Sequence, residues 1–107
     1  MSKQKAPATL SREAAAWWRK ITEEYEIADE AGKLILQTAL ESFDVMRRAQ
    51  EILKRDGMVV TDRFNQPKAH PMTTTERDAR ASLLAGIKQL NLDLEPLKDG
   101  PGRPAGR

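Results

Sequence analysis

"GMVVTDRFNQPKAHP", residues 57–71, decides how the chain folds, because it interrupts segments that otherwise read as helix. Met58 to Thr61 is rich in β-branched residues and extended in character. Asp62 and Asn65 bring turn chemistry to residues 62–66. Pro67 and Pro71 bar helix, and each pushes the residue before it towards extended backbone. Together these signals predict a short hairpin pairing 58–61 with 67–70.

Upstream of it, Gly57 is the stop signal of a long helix that Asp29 can cap. Its 27 residues would extend about 40 Å at the α-helical rise. Leu34, Ile35, Leu36, Ala39, Leu40, Phe43, Val45, Met46, Ala49, Ile52 and Leu53 cover more than half of its wheel. Only a narrow polar strip through Lys33, Gln37, Glu41, Asp44, Arg48, Glu51 and Arg55 remains. A helix so apolar is buried on several sides. Neighbouring helices can cover part of it, and the remainder points to a second copy of the chain. Asp44 with Arg48, and Glu51 with Arg55, have the i,i+4 spacing of ion pairs on a solvated face.

A first helix precedes it. Ser11 is a good N-cap for "REAAAWWRKITEEYEI", where Ala14, Trp18, Ile21 and Tyr25 form one seam and Trp17 flanks it. Downstream of the hairpin, "TTTERDARASLLAGIKQLN" predicts a third helix. Thr73 and Glu76 have the spacing of a capping box, and Ala79, Leu83, Leu84, Ile87 and Leu90 face one way. The expected fold is mainly α, three helices in the order ααββα with a hairpin between helices 2 and 3. Flexible ends flank it: a polar stretch before Ser11 and a Pro/Gly-rich tail.

The totals narrow the function. The 107 residues suit one domain. They carry 18 basic and 16 acidic side chains, and a net charge of +2 does not by itself announce a nucleic-acid binder. With no cysteine, thiolate metal sites and disulfides are excluded, and the cell interior is the expected compartment. The N-terminus is basic but lacks the apolar stretch of a signal peptide, and no window approaches the roughly 20 apolar residues of a membrane span.

His70 is the only histidine, and Ala69 and Pro71 beside it offer neither an orienting partner nor further ligands. It reads as a structural position rather than a general base or metal ligand. No phosphate loop or nucleophile elbow is present. The reading is a non-enzyme with no metal and no cofactor. Trp17 and Trp18 could stack on bases, but beside Ile21 they read as core or subunit interface. The start of helix 3, with Thr73 to Thr75 and Arg77, has the character of a phosphate-binding helix terminus.

In order, the chain shows "LSREAAAWWRKI", a long helix ending "ILKRDGMVVTD", then "PKAHP" and "TERDARASLLAGIKQLNL". This combination resembles the terminase small subunits of tailed double-stranded-DNA phages. The positions that carry the resemblance are Leu10, Ser11 and Trp18, then Gly57, Val59 and Val60, then Pro67, Lys68, His70 and Pro71, and finally Leu83 to Leu92. It departs in the turn, where the family often has glycine and this chain has Asn65-Gln66. The tail's Gly102-Arg103-Pro104 is similar to the core of an AT-hook, but Pro101 stands where a full hook has arginine, and the tail reads as a plain flexible segment.

The resemblance implies a non-catalytic, ring-forming packaging factor in the cytoplasm of an infected bacterial host. Its partners would be double-stranded viral DNA, the large terminase subunit with its ATPase and nuclease, and further copies of itself, with no membrane. On that reading the chain divides into a flexible basic arm over 1–10, a helical oligomerisation and DNA-packaging domain over 11–91, and a flexible tail over 92–107. DNA contact is expected through Lys3, Lys5, Arg47, Arg48, Arg55, Arg63, Lys68 and Arg77. Oligomer contact is expected through Trp17, Trp18, Ile21, Leu36, Leu40, Phe43 and Met46. Two other readings stay open: a small dimeric DNA-binding regulator, and an assembly adaptor that binds only protein.

Overall fold

The computed structural model describes residues 5–92. Lys3, the tail from residue 93 and its Gly102-Arg103-Pro104 element lie outside the described residues. Three helices and one hairpin follow in the expected order: α1 Arg12–Glu24, α2 Glu30–Asp56, β1 Val59–Thr61, β2 Pro67–Ala69 and α3 Met72–Leu90.

The helix boundaries follow from local chemistry. Ser11 stands in extended backbone before α1, and its hydroxyl accepts the Ala14 amide at 3.0 Å. Asp29 does the same for α2, accepting from the Gly32 amide at 2.8 Å. At the other end of α2, Gly57 adopts φ 88° and ψ 159°, a region open essentially to glycine alone. Asn91 ends α3 in the left-handed conformation that asparagine tolerates.

The start of α3 differs from the expected capping box. Thr73 donates its hydroxyl to the His70 carbonyl at 2.7 Å. Glu76 turns instead to Gln50 of α2 (3.1 Å) and to Arg80. The cap is His70, whose Nδ1 accepts the Met72 amide at 3.0 Å. The reason lies in the backbone: Pro71 already has helical angles, so the helix begins too early for Thr73 to reach a free amide.

α2 is the central element. α3 runs antiparallel to it, with Gln50 meeting Glu76 near one end and Ala39 meeting Gly86 further along. A Cβ on Gly86 would lie 2.8 Å from that of Ala39, so the two backbones approach as closely as only a glycine allows. α1 also runs antiparallel to α2. Asp44 accepts both the amide and the hydroxyl of Ser11, and the Arg47 guanidinium grips both oxygens of Glu13 at 3.2 and 3.3 Å. Asp44 and Arg55 therefore do not make the expected i,i+4 pairs. Asp44 holds the start of α1, and Arg55 hooks its neighbour Asp56.

The core gathers where the three helices meet: Ala14 and Trp18 from α1, Leu36, Leu40, Phe43 and Met46 from α2, Ala79 from α3, and Ile27 from the α1–α2 corner. The described part of the N-terminal segment packs on it. Ala6 and Leu10 lie against the core, and Thr9 donates to Glu41 at 2.9 Å.

Candidate nucleic-acid interface

The hairpin has a tight tip. Val60 pairs with Lys68 in the register, flanked by Val59 with Ala69 and Thr61 with Pro67. Asp62 organises the loop, since its Oδ1 accepts the amides of Phe64 (2.8 Å) and Gln66 (2.9 Å). Asn65 donates its amide to the Asp62 carbonyl at 2.9 Å and takes a positive φ of 64°. Asparagine thus takes the left-handed position of the turn, which its short polar side chain tolerates. The loop projects Arg63 and Phe64, with the guanidinium carbon 5.4 Å from the ring centre. Phe64, Met58 and Val59 are exposed, Phe64 by 71%.

Because α2 and α3 are antiparallel and joined by the hairpin, the end of α2, the hairpin and the start of α3 share one end of the molecule. Charge is divided accordingly. Residues 47–80 carry eight basic and five acidic side chains, whereas residues 11–46 carry four and eight. Three of those five acids are also engaged internally. Asp56 is held by Arg55 and by His70, Asp62 by the loop amides, and Glu76 by Arg80 and Gln50. The Arg55 guanidinium, followed by His70, holds the Asp56 carboxyl well below the usual carboxylate range. Arg80 and then Gln50 lower that of Glu76. Lys54, Arg63 and Lys68 make no ion pair among the described residues.

The expected DNA-contacting residues are therefore not equivalent. Arg63, Lys68 and Arg77 are exposed at the hairpin end, where Arg77 has only Asp78 at 3.9 Å. Arg55 lies there too, committed to Asp56 at 2.7 Å. Arg48 is exposed in mid-α2. Arg47 is occupied by Glu13 and Gln50 and lies 4.9 Å over the Phe43 ring. Lys5 is exposed near the N-terminus, remote in sequence from the hairpin end. The phosphate-binding terminus expected at α3 is filled by the chain itself. The Met72, Thr73 and Thr74 amides go to His70 Nδ1, the His70 carbonyl and the Pro71 carbonyl. What the sequence reading overlooked is the division of charge between segments, which a running count along the chain would have exposed.

The residues expected at an oligomer interface also separate. Trp18, Leu36, Leu40, Phe43 and Met46 are covered by the chain's own helices. Trp17 and Ile21 reach the surface, Trp17 with Lys20 Nζ 4.9 Å above its ring. The apolar side chains exposed on the long helices are instead Leu34, Val45 and Leu84. Leu34, Ile35, Thr38, Ala39 and Ser42 of α2, with Ser82, Ala85, Gly86 and Gln89 of α3, line a shallow groove of about 470 Å³ without a charged residue.

Among the described residues no group of three or more His, Cys, Asp or Glu side chains could hold a metal, and no helix is long and apolar enough to cross a membrane. What the fold presents is a three-helix domain with a projecting, basic hairpin end. The family model described as phage terminase, small subunit, matches residues 14–95, and the chain belongs to that family. The match takes in all three helices except the first two residues of α1, and the whole hairpin. Neither the curated proteins nor the solved structures yielded a match. Members of the family generally serve phage DNA packaging without catalysing a reaction themselves.

Proposed function

We propose that this chain recognises viral DNA as a non-catalytic, ring-forming homo-oligomer and recruits or regulates the large terminase ATPase/nuclease in the host cytoplasm. Family membership supports the packaging role. The observation that carries the DNA part is the hairpin end, where basic groups outnumber acids and the fold has already engaged three of the five acids. Such a surface binds duplex through phosphates, and repetition around a ring multiplies contacts that one chain makes weakly. Arg63, Lys68 and Arg77 would lead, with Lys54 and Arg48 beside them. The uncharged α2–α3 groove and the exposed Leu34 and Val45 suit the contact between copies, with Trp17 and Ile21 at its margin.

The test is charge reversal. Arg63→Glu with Lys68→Glu should weaken duplex binding while leaving the oligomer's native mass unchanged. Unchanged DNA affinity would remove the hairpin from the interface. A wild-type chain that stays monomeric at high micromolar concentration would refute the ring. A protein-only adaptor is the second reading, favoured by exposed Met58, Val59 and Phe64 on the same hairpin. On that reading the reversal changes partner binding and DNA is not bound at all.

A further inference from the structure

His70 is tied into the hairpin end through both its backbone and its ring, and none of its contacts is needed for DNA recognition as proposed. Its amide donates to the Met58 carbonyl at 2.8 Å, extending the hairpin ladder by one pair. Its carbonyl accepts from the amide and the hydroxyl of Thr73. Its ring lies between two helices: Nδ1 accepts the Met72 amide at 3.0 Å, and Nε2 stands 3.0 Å from Asp56 Oδ2. The ring's side-chain exposure is 11%.

These partners define the protonation state. An amide can only donate, so Nδ1 must carry a lone pair, and the single ring proton sits on Nε2 facing the carboxylate. A second proton could enter only at Nδ1. There it would point at the Met72 N–H, and two donors 3.0 Å apart cannot bond. The Asp56 contact would survive and become an ion pair. The charged group in contact with the ring is Asp56, itself bound by Arg55 at the end of α2; the next in sequence are Lys68, two residues back in β2, and Glu76 in α3, which Arg80 and Gln50 hold.

We propose that His70 is a proton-operated clasp: its neutral ring ties the end of α2 to the first amide of α3, and a second proton at Nδ1 releases α3 while keeping α2. The consequence is a loosened first turn of α3 and a freer hinge under the hairpin that carries Arg63 and Lys68. The inference rests on ring geometry and stands whether or not the hairpin meets DNA.

The sequence makes the test unusually clean. Histidine is the side chain whose charge ordinarily changes between about pH 5 and 8, and this chain has one histidine and no cysteine. Full-length protein labelled with 15N is followed by NMR across that range. At neutral pH the ring nitrogens should report the proton on Nε2. On acidification the Met72 amide should shift with the same midpoint as the ring, and its exchange protection, corrected for the intrinsic rate, should fall about fivefold. His70→Gln supplies one acceptor and one donor that do not titrate, so its Met72 amide should stay unmoved. A ring proton on Nδ1 at neutral pH, a Met72 amide indifferent to the ring's titration, or the same transition persisting in His70→Gln would each overturn the clasp.

Discussion

Gly57 shows how much one residue determines here. It turns the chain out of α2 with φ 88° and ψ 159°, and a Cβ would meet almost nothing there, the nearest atom being the Val59 carbonyl oxygen at 4.0 Å. Space is therefore not the constraint; the backbone angle is. Gly57→Ala should cost about 1–3 kcal/mol, measured by denaturant unfolding, although alanine favours helix elsewhere. Much at this scale was readable in advance. Ser11 and Asp29 cap the helices they were expected to cap, because short oxygen-bearing side chains act on amides two or three residues away. His70 was read as structural, and its ring bonds hold two helices together. Its tie to α2 was not readable, because Asp56 lies 14 residues away and its approach depends on how the hairpin folds back on α2. The same holds for Asp44, which holds a partner 33 residues away, and for the contact of Glu76 with Gln50, 26 residues away, made beside its local one with Arg80.

At the scale of elements, periodicity and punctuation located all three helices and the hairpin. Pro67 and Pro71 mark the hairpin's return, and the apolar breadth of α2 announced its central place. The packing of α3 was less readable. Gly86 sits inside a helix, where propensity alone would prefer alanine by up to about 1 kcal/mol. Its reason is Ala39 across the interface, 2.8 Å from where a Cβ would stand. Gly86→Ala should therefore lower the thermal midpoint despite the better helix former, because neither the Ala39 methyl nor the two backbones can yield without separating α2 from α3. A raised midpoint would mean that the helices are not so closely apposed. The division of the expected interface residues has the same origin. A wheel shows that Trp18, Leu36 and Phe43 are apolar, but not whether α1 or another copy covers them.

The whole molecule is bipolar, and its ionic ties at the hairpin end predict acid sensitivity. Asp56 and Glu76 ionise below their ordinary values of 3.8 and 4.5 in the folded chain. Above those values both are charged whether folded or not, and their full contribution is present. As pH falls through and below them, the unfolded chain takes up protons first, so stability is lost. The thermal midpoint should decline below about pH 4.5, and Asp56→Asn with Glu76→Gln should flatten the decline. Both groups are partly solvated, so added salt should reduce the effect.

The same bipolarity underlies the functional account, and titration of the full-length chain with double-stranded DNA at low and at raised salt tests it most directly. Contact led by phosphates predicts binding at low salt that weakens steeply as salt rises, with a logarithmic slope of roughly −0.9 per phosphate contacted. Reversing Arg63 and Lys68 should make that slope shallower by about 2 for each chain in contact with the duplex. Absence of binding at low salt would contradict the account and leave a protein-only role for the hairpin end.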